Sequence, residues 1–256
     1  MLENLHTHTV RCRHAFGTER EYIEAAIAAG MDTLGFSDHA PMPFQGGYYS
    51  TMRMYPEEYR GYYETLCALR EEYSGKIRIL IGVEAEYYPH LFDDFIRLVS
   101  EFPLDYLILG QHYLYDEIGS RYIGKERTDP ADLDAFVRQS CDGMRTGRFT
   151  YLAHPDVINF KGDRALWRTG METICRVALE TGTPLELNVN GAMQGRNYPD
   201  PEFWEIAASV GNTAVLGSDA HAPETLNQPE AERFCLDLAA RVGIRLLDRI
   251  PLVKPF

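Results

Sequence analysis

Ile77-Arg-Ile-Leu-Ile-Gly-Val83 is an almost unbroken apolar run that leads directly into the carboxylates of Glu84 and Glu86. Tyr106-Leu-Ile-Leu109 has the same character and is followed, three residues on, by His112. Such runs are typical of strands in a parallel sheet that helices cover on both faces. The sequence therefore predicts parallel strands whose carboxyl ends carry polar side chains.

The same pattern repeats along the chain as an alternation of strands and helices. The first strand leads into Asn4-Leu-His-Thr-His-Thr9, and the other six strands are predicted near 33–37, 77–86, 106–111, 150–153, 184–190 and 213–219. The first helix follows a capping box, Thr18-Glu-Arg-Glu21, and stops at Gly30. The later helices are predicted near 56–74, 91–101, 130–145, 164–181, 201–210 and 224–241. Seven β-α units without a glycine-rich nucleotide fingerprint favour an α/β TIM-like barrel over an open doubly wound sheet.

Length and charge bound the possible functions. A chain of 256 residues, 45% of them hydrophobic, is long enough for one large core, so we expect a single domain spanning 1–256. The net charge of −13 has the wrong sign for binding a nucleic-acid backbone, and no apolar run has the length of a membrane span. The first residues show no secretion signal, and the five scattered cysteines form no C-x-x-C pair. We therefore expect a cytoplasmic protein with reduced thiols and with neither nucleic acid nor membrane as a partner.

Seven of the eight histidines lie at or just after the end of a short apolar run. His6 and His8 are two residues apart on one strand, so both side chains point to the same face. Asp219 and His221 repeat this spacing on a later strand. Parallel strands of a closed sheet aim such groups at one mouth, where metal-assisted hydrolysis is the chemistry they suit best.

Further candidate ligands complete a set that is large enough for more than two metal ions. Glu84 is placed to bridge two cations about 3.5–4 Å apart, although Glu86 lies on the same face and spacing alone does not choose between them. The remaining nitrogen ligands are His14, His39, His112 and His154. Imidazole combined with carboxylate suits Zn, Mn and Fe.

The chain resembles the polymerase and histidinol phosphatase (PHP) family, and within it the histidinol-phosphate phosphatase branch. The motifs that carry the resemblance are His6-Thr-His8 with His14, Gly35-Phe-Ser-Asp-His-Ala-Pro41, Gly82-Val-Glu-Ala-Glu86, Gly110-Gln-His112, Ala153-His-Pro-Asp156, Leu185-Glu-Leu-Asn188 and Gly217-Ser-Asp-Ala-His221. The resemblance implies a distorted seven-stranded barrel with a trinuclear metal site. All nine ligand positions of the family pattern are filled in this chain.

The same resemblance implies how the nine ligands divide among three divalent ions. The three sets are His6, His8, Glu84 and Asp219; Glu84, His112 and His154; and His14, His39 and His221. A hydroxide shared by the first two ions would attack phosphorus in line. Asp38 and Asp156, close in sequence to His39 and His154, are candidates for orienting ligands or transferring a proton.

One departure from the family pattern concerns phosphate binding. Many members of the branch have an Arg two residues after the glycine of Asn188-Val-Asn-Gly191, whereas this chain has Met193. The cations of predicted mouth loops that could replace it are Arg53, Lys161 and Arg196. A solvated surface position is equally compatible with each of them.

Residues 40–55 form a connection that is too long for a plain strand-to-helix loop, and they contain aromatic residues and methionines. Two interpretations are open. The segment is either a lid that faces the substrate or a loop that packs its own side chains.

Together these features predict a metal-dependent phosphomonoesterase for a small phosphorylated substrate. The substrate that the resemblance implies is L-histidinol phosphate, an intermediate of histidine biosynthesis. The alternatives are a phosphoesterase for another small metabolite or nucleotide, an amidohydrolase, and a metal-binding module without catalysis. The complete ligand set weighs against the last two, and no feature of the sequence predicts the oligomeric state.

Overall fold

Seven parallel strands form two sheets that curl into one distorted barrel, as predicted. The computed structural model describes residues 1–256. The strands are β1 (Glu3–Asn4), β2 (Thr33–Phe36), β3 (Arg78–Ala85), β4 (Tyr106–Leu109), β5 (Leu185–Asn188), β6 (Thr213–Gly217) and β7 (Arg245–Leu246). The sheet orders are β1-β2-β3-β4 and β5-β6-β7. Every strand pair is parallel, because helices connect consecutive strands.

Eight helices surround the strands. They are α1 (Glu19–Ala28), α2 (Tyr59–Glu72), α3 (Phe92–Val99), α4 (Pro130–Arg145), α5 (Arg164–Thr181), α6 (Val189–Met193), α7 (Pro201–Val210) and α8 (Pro229–Val242). The predicted capping box is confirmed, since the side chains of Thr18 and Glu21 each accept a bond from the other's backbone N–H. No helix is both long enough and apolar enough to cross a bilayer.

Single-residue bridges join the two sheets into a ring. They are Leu109–Leu152 and Leu152–Leu185 on one side and Thr7–Ala220 on the other. At the second seam, His8 N donates to Ala220 O at 2.9 Å, and Ala220 N donates to His6 O at 3.2 Å. The backbone segment that carries the first histidine pair therefore also closes the barrel.

Two predicted strands differ from the structure. The segment 150–153 is not a regular strand, because only one of its residues pairs with both neighbours. The predicted strand 184–190 ends at Asn188, whose side chain accepts a bond from Gly191 N at 2.8 Å and so starts α6. The seventh regular strand is β7, which is only two residues long and was not predicted.

The alternation of side chains along β3 brings Glu84 to the mouth of the barrel. On one side of β3, Ile79, Ile81 and Val83 pack into the main core, which comprises 61 buried residues. Leu80 points the other way, into a separate cluster of eight. Gly82 follows on that side, and a Cβ there would lie 2.7 Å from the ring of Tyr106. Glu84 is the next residue in this inward set.

Candidate metal centre

The nine predicted ligands converge at the carboxyl ends of the strands, around Glu84. Its carboxylate is 1% exposed, and its oxygens lie 2.9–3.6 Å from nitrogens of His6, His8, His39, His112 and His154. Gly110 makes room for this carboxylate, because a Cβ at that position would lie 1.9 Å from Glu84 Oε1. The structure therefore places Glu84 at the centre of the cluster and Glu86 outside it.

The ligand atoms fall into compact groups that could each hold an ion. Groups whose atoms lie within 4.8 Å of one another include His6–His8–Asp219, His6–Glu84–His154, His8–His39–Glu84 and His14–His39–His221. The last of these is one of the ligand sets that the family resemblance implies, and the first contains three of the four members of another. His112 joins through Nε2, which lies 3.4 Å from Glu84 Oε1.

The orientation of His14 and His221 fits a cation. His14 Nδ1 donates to Cys12 O at 2.7 Å, and His221 Nδ1 donates to Asp219 O at 3.0 Å. In neutral imidazoles the other nitrogen is then an acceptor, yet the two Nε2 atoms face each other at 3.0 Å. Buried ligand atoms without a hydrogen-bond partner include His6 Nε2, His8 Nε2, Glu84 Oε2 and His154 Nδ1. These unpaired nitrogen and oxygen atoms are typical metal ligands, and bound divalent cations would give them partners.

Burial and neighbouring charges shift the pKa values of the cluster in opposite directions. Burial by itself would raise the pKa of Glu84, but nearby imidazoles, foremost His112, hold that pKa well below its usual value. Burial lowers the pKa of His8, whereas Asp219 raises it, with a net result of about 9. Burial and the neighbouring His8 together lower the pKa of His221 to about 3.

No sequence prediction covers Glu186, although it supports two ligands. It is fully buried in β5, where Oε1 accepts from His6 Nδ1 at 2.7 Å. Oε2 accepts from His154 N at 3.0 Å and from Asn188 Nδ2 at 2.9 Å. Because Nδ1 of His6 is engaged, Nε2 is left facing Glu84. A carboxylate within the apolar run Leu185-Glu-Leu-Asn188 was the available sequence signal.

Two ligands have left-handed backbone conformations, which are uncommon for residues other than glycine. The φ angle is 49° at Asp219 and 29° at His154. Asp219 is also fixed by its side chain, because Oδ2 accepts from Asn188 Nδ2 and from Asn190 Nδ2, each at 3.2 Å. Its Oδ1 then lies 3.1 Å from His8 Nε2. Strain of this kind is concentrated at functional sites.

The two carboxylates predicted to orient ligands or transfer protons lie in different places. Asp38 is fully buried, accepts a bond from Thr9 Oγ1, and lies 3.5 Å from His8 Nδ1. Asp156 is buried away from the cluster, where Oδ2 accepts from Asp200 N at 2.6 Å and burial raises its pKa to about 7. Neither residue lines the cavity above the ligands.

A cavity of about 480 Å³ opens over the ligands. Six of the predicted ligands line it, together with Thr51, Met52, Tyr113, Tyr122, Asn190, Gln194, Arg196 and Tyr198. Arg196 is the only arginine or lysine in this wall. Its Nε donates to Gln194 Oε1 at 2.8 Å, and its Nη1 donates to Tyr198 OH at 3.2 Å.

The other two cations considered for phosphate binding lie elsewhere. Arg53 lies in a loop that borders the cavity, as predicted, but its side chain is 1% exposed and donates to Glu86 and Glu117, so it is neither in the cavity wall nor a solvated surface cation. Its guanidinium is already paired with two buried carboxylates. Lys161 is exposed and is not part of the cavity wall.

In the segment 40–55, the interpretation of a loop that packs its own side chains is confirmed, and the lid stays a prediction. The segment packs its own side chains, with edge-to-face contacts between Phe44 and Tyr48 and between Tyr49 and Tyr55. It also contributes two residues to the cavity wall, Thr51 and Met52.

Comparison with known proteins identifies the family. The PHP domain model matches residues 4–190, and the chain therefore belongs to the PHP domain family. With its buried clusters of His, Glu and Asp side chains, it is a metal-dependent phosphatase of that family. Asp219 and His221 lie beyond the matched span and are brought to the other ligands by the closure of the barrel.

Individual relatives agree with this assignment. A probable histidinol-phosphatase from Deinococcus radiodurans is 32% identical over 227 residues, which is 85% of each chain. A probable phosphatase from Tolumonas auensis is 24% identical over 251 residues, covering 97% of this chain and 89% of the relative. The crystal structure of histidinol phosphate phosphatase from Lactococcus lactis, complexed with Zn, L-histidinol and phosphate, has a TM-score of 0.75 at 17% identity, with 99% and 97% of the two chains covered. This structural similarity shows the shared fold.

Proposed function

We propose that the protein hydrolyses a small phosphate monoester, L-histidinol phosphate, with three divalent ions in the metal centre. The observation that carries the proposal is the cavity itself, which has metal ligands as its floor and Arg196 in its wall. The 32% identity to a probable histidinol-phosphatase supports this choice of substrate. Hydrolysis of another small phosphorylated metabolite is the second candidate, because Met193 departs from the family pattern and other relatives are named only as probable phosphatases.

The ions would be held in the three sets that the family pattern implies, of which His14, His39 and His221 form a complete compact group. Zn is supported by the Lactococcus lactis structure, and Mn and Fe suit the same donor atoms. Bound ions would polarise the phosphoryl oxygens and activate water for attack at phosphorus. Asp38 would hold the ring of His8 in place from the Nδ1 side.

Arg196 would bind the phosphate in place of the Arg that is missing at Met193. A planar guanidinium can donate two parallel bonds to phosphate oxygens. Gln194 and Tyr198 hold this guanidinium in the cavity wall before substrate arrives. The part of the substrate beyond phosphate would lie against Tyr113 and Tyr122, whose rings can hold an imidazole or an ammonium group.

Asp156 would have a supporting role in proton transfer or positioning. Its pKa of about 7 lets it carry a proton near neutral pH, but it lies outside the cavity. Its bond from Asp200 N ties the segment after His154 to the start of α7.

Steady-state kinetics with L-histidinol phosphate, beside a panel of other phosphomonoesters and a phosphodiester, tests the proposal. We expect the highest kcat/KM for histidinol phosphate and loss of activity in His8→Ala. Arg196→Gln should lower kcat/KM by roughly 10- to 100-fold, since a hydrogen bond to a charged group contributes about 1.5–3 kcal/mol. Lys161→Gln, an exposed cation outside the cavity, is the matched control and should be unchanged. Equal rates on all the monoesters would support phosphatase activity but contradict L-histidinol phosphate as the specific substrate.

A further inference from the structure

Arg53, Glu86 and Glu117 form a charged cluster next to the metal centre. Their exposed fractions are 1%, 1% and 5%. The guanidinium donates from Nη1 and Nη2 to the two oxygens of Glu86, each at 2.8 Å, and from Nε to Glu117 Oε2 at 2.7 Å. Burying three charges is costly unless each is paired in good geometry. Here one planar fork satisfies both carboxylates at once.

Glu86 connects this cluster to the metal centre. Its Oε1 accepts from Arg53 Nη2 and also lies 3.0 Å from His112 Nδ1. A carboxylate is an acceptor, so Nδ1 of His112 carries the proton and Nε2 is left free toward Glu84. The direction of the His112 ring therefore depends on Glu86, and the position of Glu86 depends on Arg53.

Glu117 connects the same cluster to the cavity wall. Its Oε1 accepts from Ser50 Oγ at 2.6 Å and from Tyr48 OH at 2.9 Å, while its Oε2 accepts from Arg53. Ser50 and Arg53 flank the two loop residues, Thr51 and Met52, that line the cavity. The residues on both sides of the Thr51–Met52 segment therefore hydrogen-bond to Glu117.

We propose that Arg53 is a positioning residue that couples the Thr51–Met52 wall of the cavity to the metal ligand His112. The coupling runs through Glu86 on the metal side and through Glu117 on the wall side. A lysine at position 53 would keep the positive charge but could not span both carboxylates with a rigid fork. The proposal rests on the proposed function only where turnover is measured.

The test compares Arg53→Lys and Glu117→Gln with the wild-type protein, using Co²⁺ as the probe metal and p-nitrophenyl phosphate as the substrate. Arg60→Lys, an exposed arginine of α2, is the matched control. Arg53→Lys should weaken Co²⁺ binding at the site that includes His112 by about 10- to 100-fold, as loss of an outer-shell partner does, and should shift the visible Co²⁺ spectrum. Because Arg53 also pairs with Glu117, Arg53→Lys should raise KM as well. Glu117→Gln should raise KM while the spectrum stays as in the wild type, because Glu86 still holds His112.

Two results would overturn the coupling. One is an Arg53→Lys protein in which the Co²⁺ affinity and spectrum, or the KM, remain as in the wild type, and the other is a Glu117→Gln protein with unchanged KM. If Arg53→Lys does not fold, the KM and kcat of Glu117→Gln decide the wall-side coupling. If the wild type does not hydrolyse p-nitrophenyl phosphate, the proposed function is in question, while the Co²⁺ measurements on Arg53→Lys still decide the role of Arg53.

Discussion

Replacing Glu186 by Gln is expected to weaken metal binding while the fold persists. Both carboxylate oxygens act as acceptors, Oε1 from His6 Nδ1 and Oε2 from His154 N and Asn188 Nδ2. A glutamine has one acceptor oxygen, and its NH₂ group would face a donor at the other position. Whichever way the amide turns, at least one buried donor loses its partner.

The magnitude follows from the number of bonds lost. If the amide oxygen faces His154 N and Asn188, only the bond from His6 is lost, and an unsatisfied buried donor costs about 1–3 kcal/mol. Loss of an outer-shell partner of a ligand lowers metal affinity by about 10- to 100-fold. That change corresponds to about 1.4–2.7 kcal/mol of binding free energy. Both costs are smaller than the about 5–15 kcal/mol that stabilises a typical protein, so the variant should fold.

The assay is a Zn²⁺ titration against a competing chelator, combined with urea unfolding of the metal-free protein. Glu71→Gln makes the same chemical change at an exposed position of α2 and should behave as the wild type. Wild-type Zn²⁺ affinity in Glu186→Gln would refute the inference that this carboxylate orients His6. A loss of unfolding free energy without any loss of affinity would restrict Glu186 to a structural role.

Three further predictions concern the glycines, the first helix and the thiols. A Cβ at Gly110 would lie 1.9 Å from Glu84 Oε1, and one at Gly217 would lie 1.8 Å from Glu186 Oε1, so both Ala variants should lose bound metal by elemental analysis. Gly61→Ala, in open space on α2, should keep its metal, and its free energy of unfolding should rise by about 0.4–1 kcal/mol. Full metal occupancy in all three variants would contradict the steric argument. Thr18→Ala should lose about 0.5–2 kcal/mol in urea unfolding, because it removes the capping box, and an unchanged midpoint would count against that bond. Of the five free cysteines, only Cys67 is partly exposed, so a thiol reagent should modify about one thiol in the native protein and all five in denaturant. Rapid modification of several thiols in the native protein would contradict this burial.

The sequence alone determined the parallel α/β barrel and the convergence of the nine predicted ligands. Both follow from local rules, because apolar runs alternating with helical patterns require parallel strands and crossovers. Parallel strands in a closed sheet place their carboxyl ends at one mouth. Residues at strand ends, such as His8 and Glu84, therefore meet without any knowledge of their long-range contacts.

Only the tertiary structure decided what the buried partners do. Arg53 pairs with Glu86 and Glu117, which are 33 and 64 residues away along the chain, and Glu186 binds His6 across 180 residues. Of the strand predicted at 150–153, only Leu152 forms bridges, one to β4 and one to β5. A charged side chain looks the same in the sequence whether it faces solvent or a buried partner. Its role depends on which distant group the fold brings within hydrogen-bond distance, and local periodicity does not carry that information.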